Sequence, residues 1–204
     1  MTISALIIII IITIAVSMNA MNNDELKNKL MFSPYRCKHD KESYRFLSHT
    51  LIHADFQHLA FNMFTLYFMG KQLEVSFQIH YQSFVMGEVY FVGLYILGGL
   101  FATLIPFIRN QDNPGYRSLG ASGAVSAIVF ASIIWNPLGG LLVMGFPMPA
   151  WVFGILYLAL EIWLDKKGNT GVAHDAHIGG AIFGVVFILI TNIEKGKEIL
   201  DLVF

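Results

Sequence analysis

The chain has 204 residues, 55% of them hydrophobic and only 13% charged, with a formal net charge of −1 at pH 7. Soluble domains carry roughly 25% charged and about 45–50% apolar residues, so this balance, with a mean hydropathy of +0.61, predicts an all-α membrane protein built as one compact bundle. The charge balance and the lack of a basic cluster with interleaved aromatics exclude a nucleic-acid partner, and the single cysteine, Cys37, excludes an internal disulfide and a cysteine metal site.

A membrane-spanning helix needs about 20 mostly apolar residues, in a range of roughly 17–25, and six segments qualify as candidates. The first runs from about Ile3 to Met18. It has no Lys or Arg ahead of its apolar run, so it reads as a retained helix and not as a signal peptide. Residues 19–57 form a long first loop whose aromatics (Phe32, Tyr35, Tyr44, Phe46, Phe56) predict an amphipathic, interfacial element. The second helix runs from about His58 to Leu73 and is weakened by His58 and Asn62. The third spans about Phe84 to Ile108, and the turn chemistry of residues 110–117, NQDNPGYR, follows it. The fourth starts near Ser122 and stops before Asn136-Pro137-Leu138-Gly139-Gly140. The fifth runs from about Pro149 to Leu164 and is closed by Lys166-Lys167-Gly168-Asn169; the sixth runs from about Ala176 to Thr191. With no internal repeat and no second domain, residues 1–204 read as one membrane domain with a core over about 40–192.

Polar groups at membrane depth are costly and mark function by default. The candidates are His53, His58, Asn62, Ser122, His174 and His177, with Glu88 and Glu161 weaker because they lie near predicted helix ends. Ser122 sits in Gly120-Ala121-Ser122-Gly123. One reading is a small residue that aids helix packing. The other is a nucleophile at a helix start, beside unpaired N–H groups that suit an oxyanion. His177 reads either as a histidine bonded within the bundle or as the base that a serine nucleophile requires. Gly180 and Gly184 behind it permit close helix approach, with Gly120 and Gly123 as the matching small face. His58 and Asn62 lie four apart and share one helical face, as a polar clamp or as a pair of oxyanion donors. His49 and His53, nearer the loop, read as structural. A metal is the rival for the histidines, through the spacings His49/His53 and His174/His177. HExxH is absent, and no metal and no cofactor are expected.

Three stretches, HADFQHLAFNM (53–63), GASG (120–123) and AHIGGAIFG (176–184), follow one another in an order that resembles the rhomboid family of intramembrane serine proteases. The resemblance covers about residues 40–192, and Tyr44-Arg45 stands where many members have Trp-Arg. It implies a six-transmembrane-helix rhomboid-like bundle with a Ser-His dyad and no third acidic member. Ser122 would be the nucleophile, His177 the base, and the Ser122 N–H, His58 and Asn62 the oxyanion hole. Substrates would be single-span membrane proteins cut in or near their transmembrane helix within the lipid bilayer. The fifth helix, starting at Pro147-Met148-Pro149, lies where family members admit substrate laterally. A multi-pass protein of a bacterial inner membrane is implied, with a cytoplasmic N-terminus. That orientation puts Lys71, Lys195 and Lys197 inside and ten Lys and Arg residues outside, the reverse of the usual charge bias. The alternatives are a non-enzymatic binder of membrane client proteins on the same scaffold and a small transporter or channel whose histidines relay protons.

Overall fold

The longest apolar runs all become helix in a computed structural model, which describes residues 3–143, 145–168 and 170–203. The chain opens with α1 (Ala5–Met21). The first loop then folds into α2 (Asp24–Leu30), α3 (Pro34–His39), α4 (Arg45–Ser48) and a 3₁₀ turn (His49–Leu51). Next come α5 (Phe56–His80), α6 (Phe84–Ala102), α7 (Leu104–Asn110) and α8 (Ser122–Trp135). A hairpin, β1 (Gly140–Val143) with β2 (Phe146–Pro149), pairs antiparallel with Gly140 opposite Pro149. The chain continues through α9 (Ala150–Lys167), α10 (His174–Thr191) and α11 (Ile193–Val203).

The departures from the expected boundaries have physical causes. α5 continues to His80, past the expected end at Leu73, because its charges are used internally. Lys71 pairs with Glu74 at 3.1 Å, and the fully buried Glu74 accepts the Leu6 N–H at 3.1 Å. Glu88 accepts the neighbouring Ala5 N–H at 2.5 Å. Two carboxylates thus cap the first turn of α1, where helix N–H groups lack partners. The third expected helix breaks at Thr103 into α6 and α7. Pro106 has no N–H to offer the Ala102 carbonyl one turn back. The hairpin and α11 were not expected from the sequence.

α8 forms the centre. Every residue from Gly123 to Ile133 is buried, with α5, α6 and α10 packed round it. The α8–α10 contact is backbone on backbone: a β-carbon on Gly180 would overlap the Gly123 carbonyl, and one on Gly184 the Ala127 carbonyl. The small face on α8 is therefore Gly123 with Ala127. Gly120, expected to share it, lies ahead of the helix and packs against His58. By length and composition, two helices among the described residues can cross a membrane, the broken Phe84–Asn110 and His174–Thr191. Ala5–Met21 and Ser122–Trp135 are apolar but shorter.

The first loop is folded round a buried guanidinium. Arg45 is 1% exposed. Its Nη1 donates to the Asn28 and Met31 carbonyls at 2.8 and 2.7 Å, and its Nε to Glu42 at 2.5 Å. Phe32 is buried beside it and bridges to Ser118, ahead of α8. The loop therefore supports the segment that carries Ser122.

Candidate active site

Ser122 opens α8, and no side chain caps that end. The N–H groups of Ser122, Gly123 and Ala124 precede the first intrahelical bond, from the Val125 N–H to the Ala121 carbonyl at 2.9 Å. The helix dipole directs its positive end at the same place. Gly120 turns the chain into the helix at φ +123°, in the region that side chains rarely adopt. Its N–H donates to the His49 carbonyl at 3.0 Å, and the Ala121 N–H donates to His53 Nε2 at 3.2 Å.

His53 is tied on its other side as well. Its Nδ1 lies 2.8 Å from Ser17 Oγ, which donates to the Leu51 carbonyl at 2.9 Å. One tautomer satisfies all of this: Nδ1–H donates to Ser17, and Nε2 accepts from Ala121. His53 is thus the structural residue expected, pinning the loop before Ser122 to α1. Burial pushes the His49 imidazole down to about 4 and that of His53 to about 3, so both are neutral at pH 7.

The structure brings Ser122 and His177 together. His177 Nε2 lies 2.7 Å from Ser122 Oγ across the α8–α10 seam. His58 stands beside Gly120, where a β-carbon would lie 2.7 Å from its Cε1. Its ring meets that of His53 edge-on, with centroids 4.9 Å apart. Asn62 is buried one turn further along the same face, and its side-chain amide donates to the His58 carbonyl at 2.9 Å. Neither His58 nor Asn62 hydrogen-bonds Ser122 itself.

One group near His177 was ranked low by the sequence. The resemblance implies no acidic third member, yet Glu161 of α9 is buried with Oε1 3.1 Å from His177 Nδ1. The carboxylate sits off the direction of the ring N–H, so His177 Nδ1 has no aligned hydrogen bond. Glu161 Oε2 lies 2.6 Å from His174 Nδ1, and His174 Nε2 lies 2.9 Å from Thr170 Oγ1. Possible metal-ligand atoms of Glu161, His174 and His177 fall within 4.8 Å of one another, the only place where the rival metal reading finds three ligand groups among the described residues. A signal for Glu161 was present. Tyr157, Glu161 and Asp165 recur every four residues on one face of a helix that is otherwise apolar up to Lys166. They meet, respectively, Ser126 at 2.9 Å, the two histidines, and Arg109 at 2.9 Å.

A bundle of apolar helices thus holds a serine against a histidine, at a helix start with unclaimed N–H groups. The chain matches the rhomboid domain over residues 40–193. It is 31% identical over 170 residues to RHOMBOID-like protein 12, mitochondrial, of Arabidopsis thaliana, covering 73% of this chain and 47% of that one. It is 26% identical over 159 residues to Rhomboid protease GlpG of Haemophilus influenzae, covering 78% and 74%. It is 28% identical over 144 residues to the bovine Presenilin-associated rhomboid-like protein, mitochondrial, covering 68% and 36%. The chain thus spans less than half the length of the two mitochondrial relatives. It belongs to the rhomboid family, whose members are integral membrane proteins.

Proposed function

We propose that the chain is an intramembrane serine endopeptidase. The observation that carries this reading is the 2.7 Å contact between Ser122 Oγ and His177 Nε2 at an uncapped helix start. His177 takes the Ser122 proton on Nε2 as Oγ attacks the scissile carbonyl carbon. The developing oxyanion is received by the Ser122 N–H with His58 and Asn62. The tetrahedral intermediate collapses, His177 passes its proton to the leaving amine, and an ester on Ser122 remains. Water, deprotonated by His177, then releases the new carboxylate and restores the serine.

The substrates are single-span membrane proteins, cut in or near their transmembrane helix. Six spans fit this reading: α1, α5, α6 continued by α7, α8, α9 and α10. The N-terminus is cytoplasmic and the site opens to the other side. A bacterial inner membrane is the location in keeping with the likeness to GlpG of Haemophilus influenzae. The test is labelling of the detergent-solubilised protein by a serine-reactive fluorophosphonate, which needs no known substrate. Wild type should label, and Ser122→Ala and His177→Ala should not. A folded wild type that fails to label would favour the reading as a binder of membrane clients.

A further inference from the structure

We propose that Glu161 is a positioning residue for the base, so that the site works as Ser122–His177–Glu161 with the carboxylate supplied by α9. The inference rests on the protease reading and adds a residue to it. For His177 Nε2 to accept the Ser122 proton, the resting imidazole must carry its own proton on Nδ1. That N–H is buried and has no aligned partner. A buried donor left without a partner is costly. Glu161 Oε1, at 3.1 Å from Nδ1, is placed to receive it after a small ring rotation.

The carboxylate is itself held. His174 Nδ1 lies 2.6 Å from Oε2, and Thr170 Oγ1 lies 2.9 Å from His174 Nε2. A bare Nδ1 would face the lone pairs of the carboxylate, so His174 carries a proton there and donates it to Glu161 Oε2. One carboxylate oxygen is thereby anchored and the other faces His177. When His177 gains the serine proton, both of its nitrogens carry hydrogen. The imidazolium then lies between the reacting oxygen and a buried negative charge. The contact strengthens as the transition state is approached, which is the condition for an interaction to raise rate more than binding. Glu161 does not touch the reacting atoms, so it acts through His177 alone.

The experiment compares wild type, Glu161→Gln and Glu161→Asp in a fluorophosphonate concentration series, run in EDTA. The series gives a maximal labelling rate and a half-saturating concentration. Glutamine is nearly isosteric, but its NH₂ can donate to Nδ1 and move the ring proton onto Nε2, the wrong tautomer for a base. Glu161→Gln should lower the maximal rate about 10–100-fold, below the roughly 10²–10⁴-fold that a whole general base contributes, and leave half-saturation unchanged. Glu161→Asp keeps the charge and should recover most of that loss at a melting temperature no higher than that of Glu161→Gln. A purely structural Glu161 would instead make labelling follow melting temperature across the variants. The proposal is overturned by that pattern, by wild-type labelling in Glu161→Gln, or by loss of wild-type labelling in EDTA alone, which would make the cluster a metal site. Wild type that never labels, with or without EDTA, would sink the protease reading as well.

Discussion

Gly120 can be tested with a single methyl group. In Gly120→Ala the new β-carbon would lie 2.7 Å from His58 Cε1 and 3.0 Å from its Nε2, whereas ordinary contact begins at 3.4 Å. The ring or the loop must therefore give by about 0.7 Å, the shortfall at Cε1. The residue must also hold φ near +123° with a side chain, a strain of about 1–3 kcal/mol. The displacement falls between an oxyanion donor and the nucleophile two residues on, where a misplacement of about 1 Å can cost on the order of 10²-fold in rate. Gly168→Ala separates the two effects. Gly168 also has positive φ, +61°, but nothing lies within 4 Å of its would-be β-carbon. Thermal melting and fluorophosphonate labelling are read on both variants. Both should melt earlier than wild type. Only Gly120→Ala should lose labelling, by about 10–100-fold. Wild-type labelling by Gly120→Ala, or an equal loss in Gly168→Ala, would refute the steric argument.

Three further outcomes are expected. Asn62→Ala should slow labelling by about 10²–10³-fold at most, the usual effect of removing one oxyanion donor; an unchanged rate would take Asn62 out of the hole. Arg45→Met should destabilise the fold by about 3–5 kcal/mol, because it leaves Glu42 and two carbonyls without their buried partner; a wild-type melting temperature would show that the loop is held elsewhere. Finally, His49 at about 4 and His53 at about 3 lie below the ordinary histidine value in the folded chain. The unfolded chain therefore binds more protons as pH falls below about 6.5. Their contribution is full above that pH and is lost going down toward pH 4, at up to about 1.4 kcal/mol per pH unit for each histidine. Melting measured between pH 7.5 and 4.5 should show the fall, and His53→Gln should make it shallower; a flat curve in the wild type would contradict it.

Much of the helical layout was legible in the sequence because apolar runs and stop signals are local. α8 begins at Ser122 and ends at Trp135, immediately before the Asn-Pro stop. The glycine spacing behind His177 pointed to the seam that brings it to Ser122, since small residues four apart have one evident use between membrane helices. What escaped depends on partners distant in sequence. The second helix was expected to end near Leu73, whereas α5 runs on because Glu74 is buried where α1 supplies the Leu6 N–H to it and Lys71 pairs with it. Glu161 looked peripheral because the fifth helix was expected to end near Leu164, whereas α9 runs on to Lys167 and buries Glu161 against two histidines of α10. The excess of cations on the site side also reads differently in three dimensions. Arg45 is buried in carbonyl groups, Lys38 pairs with Asp112 at 2.8 Å, and Arg109 links Asp165 and Asp175 at 2.9 and 3.2 Å. Of these, Arg45 is committed to the fold and is a poor reporter of orientation, while Lys38 and Arg109 stay at the surface.

The seam between α8 and α10 has a mechanical consequence. Gly180 rests on the Gly123 carbonyl and Gly184 on that of Ala127, so two main chains are in direct contact. The gap spanned by Ser122 and His177 is therefore gauged by the thickness of the peptide backbone. No rotamer in the seam can flip to widen it, and no longer side chain can be trimmed to narrow it. The smallest alteration available is a whole added carbon, a step of about 1.5 Å. Mutation can open this gap abruptly, but it has no means of adjusting it by degrees.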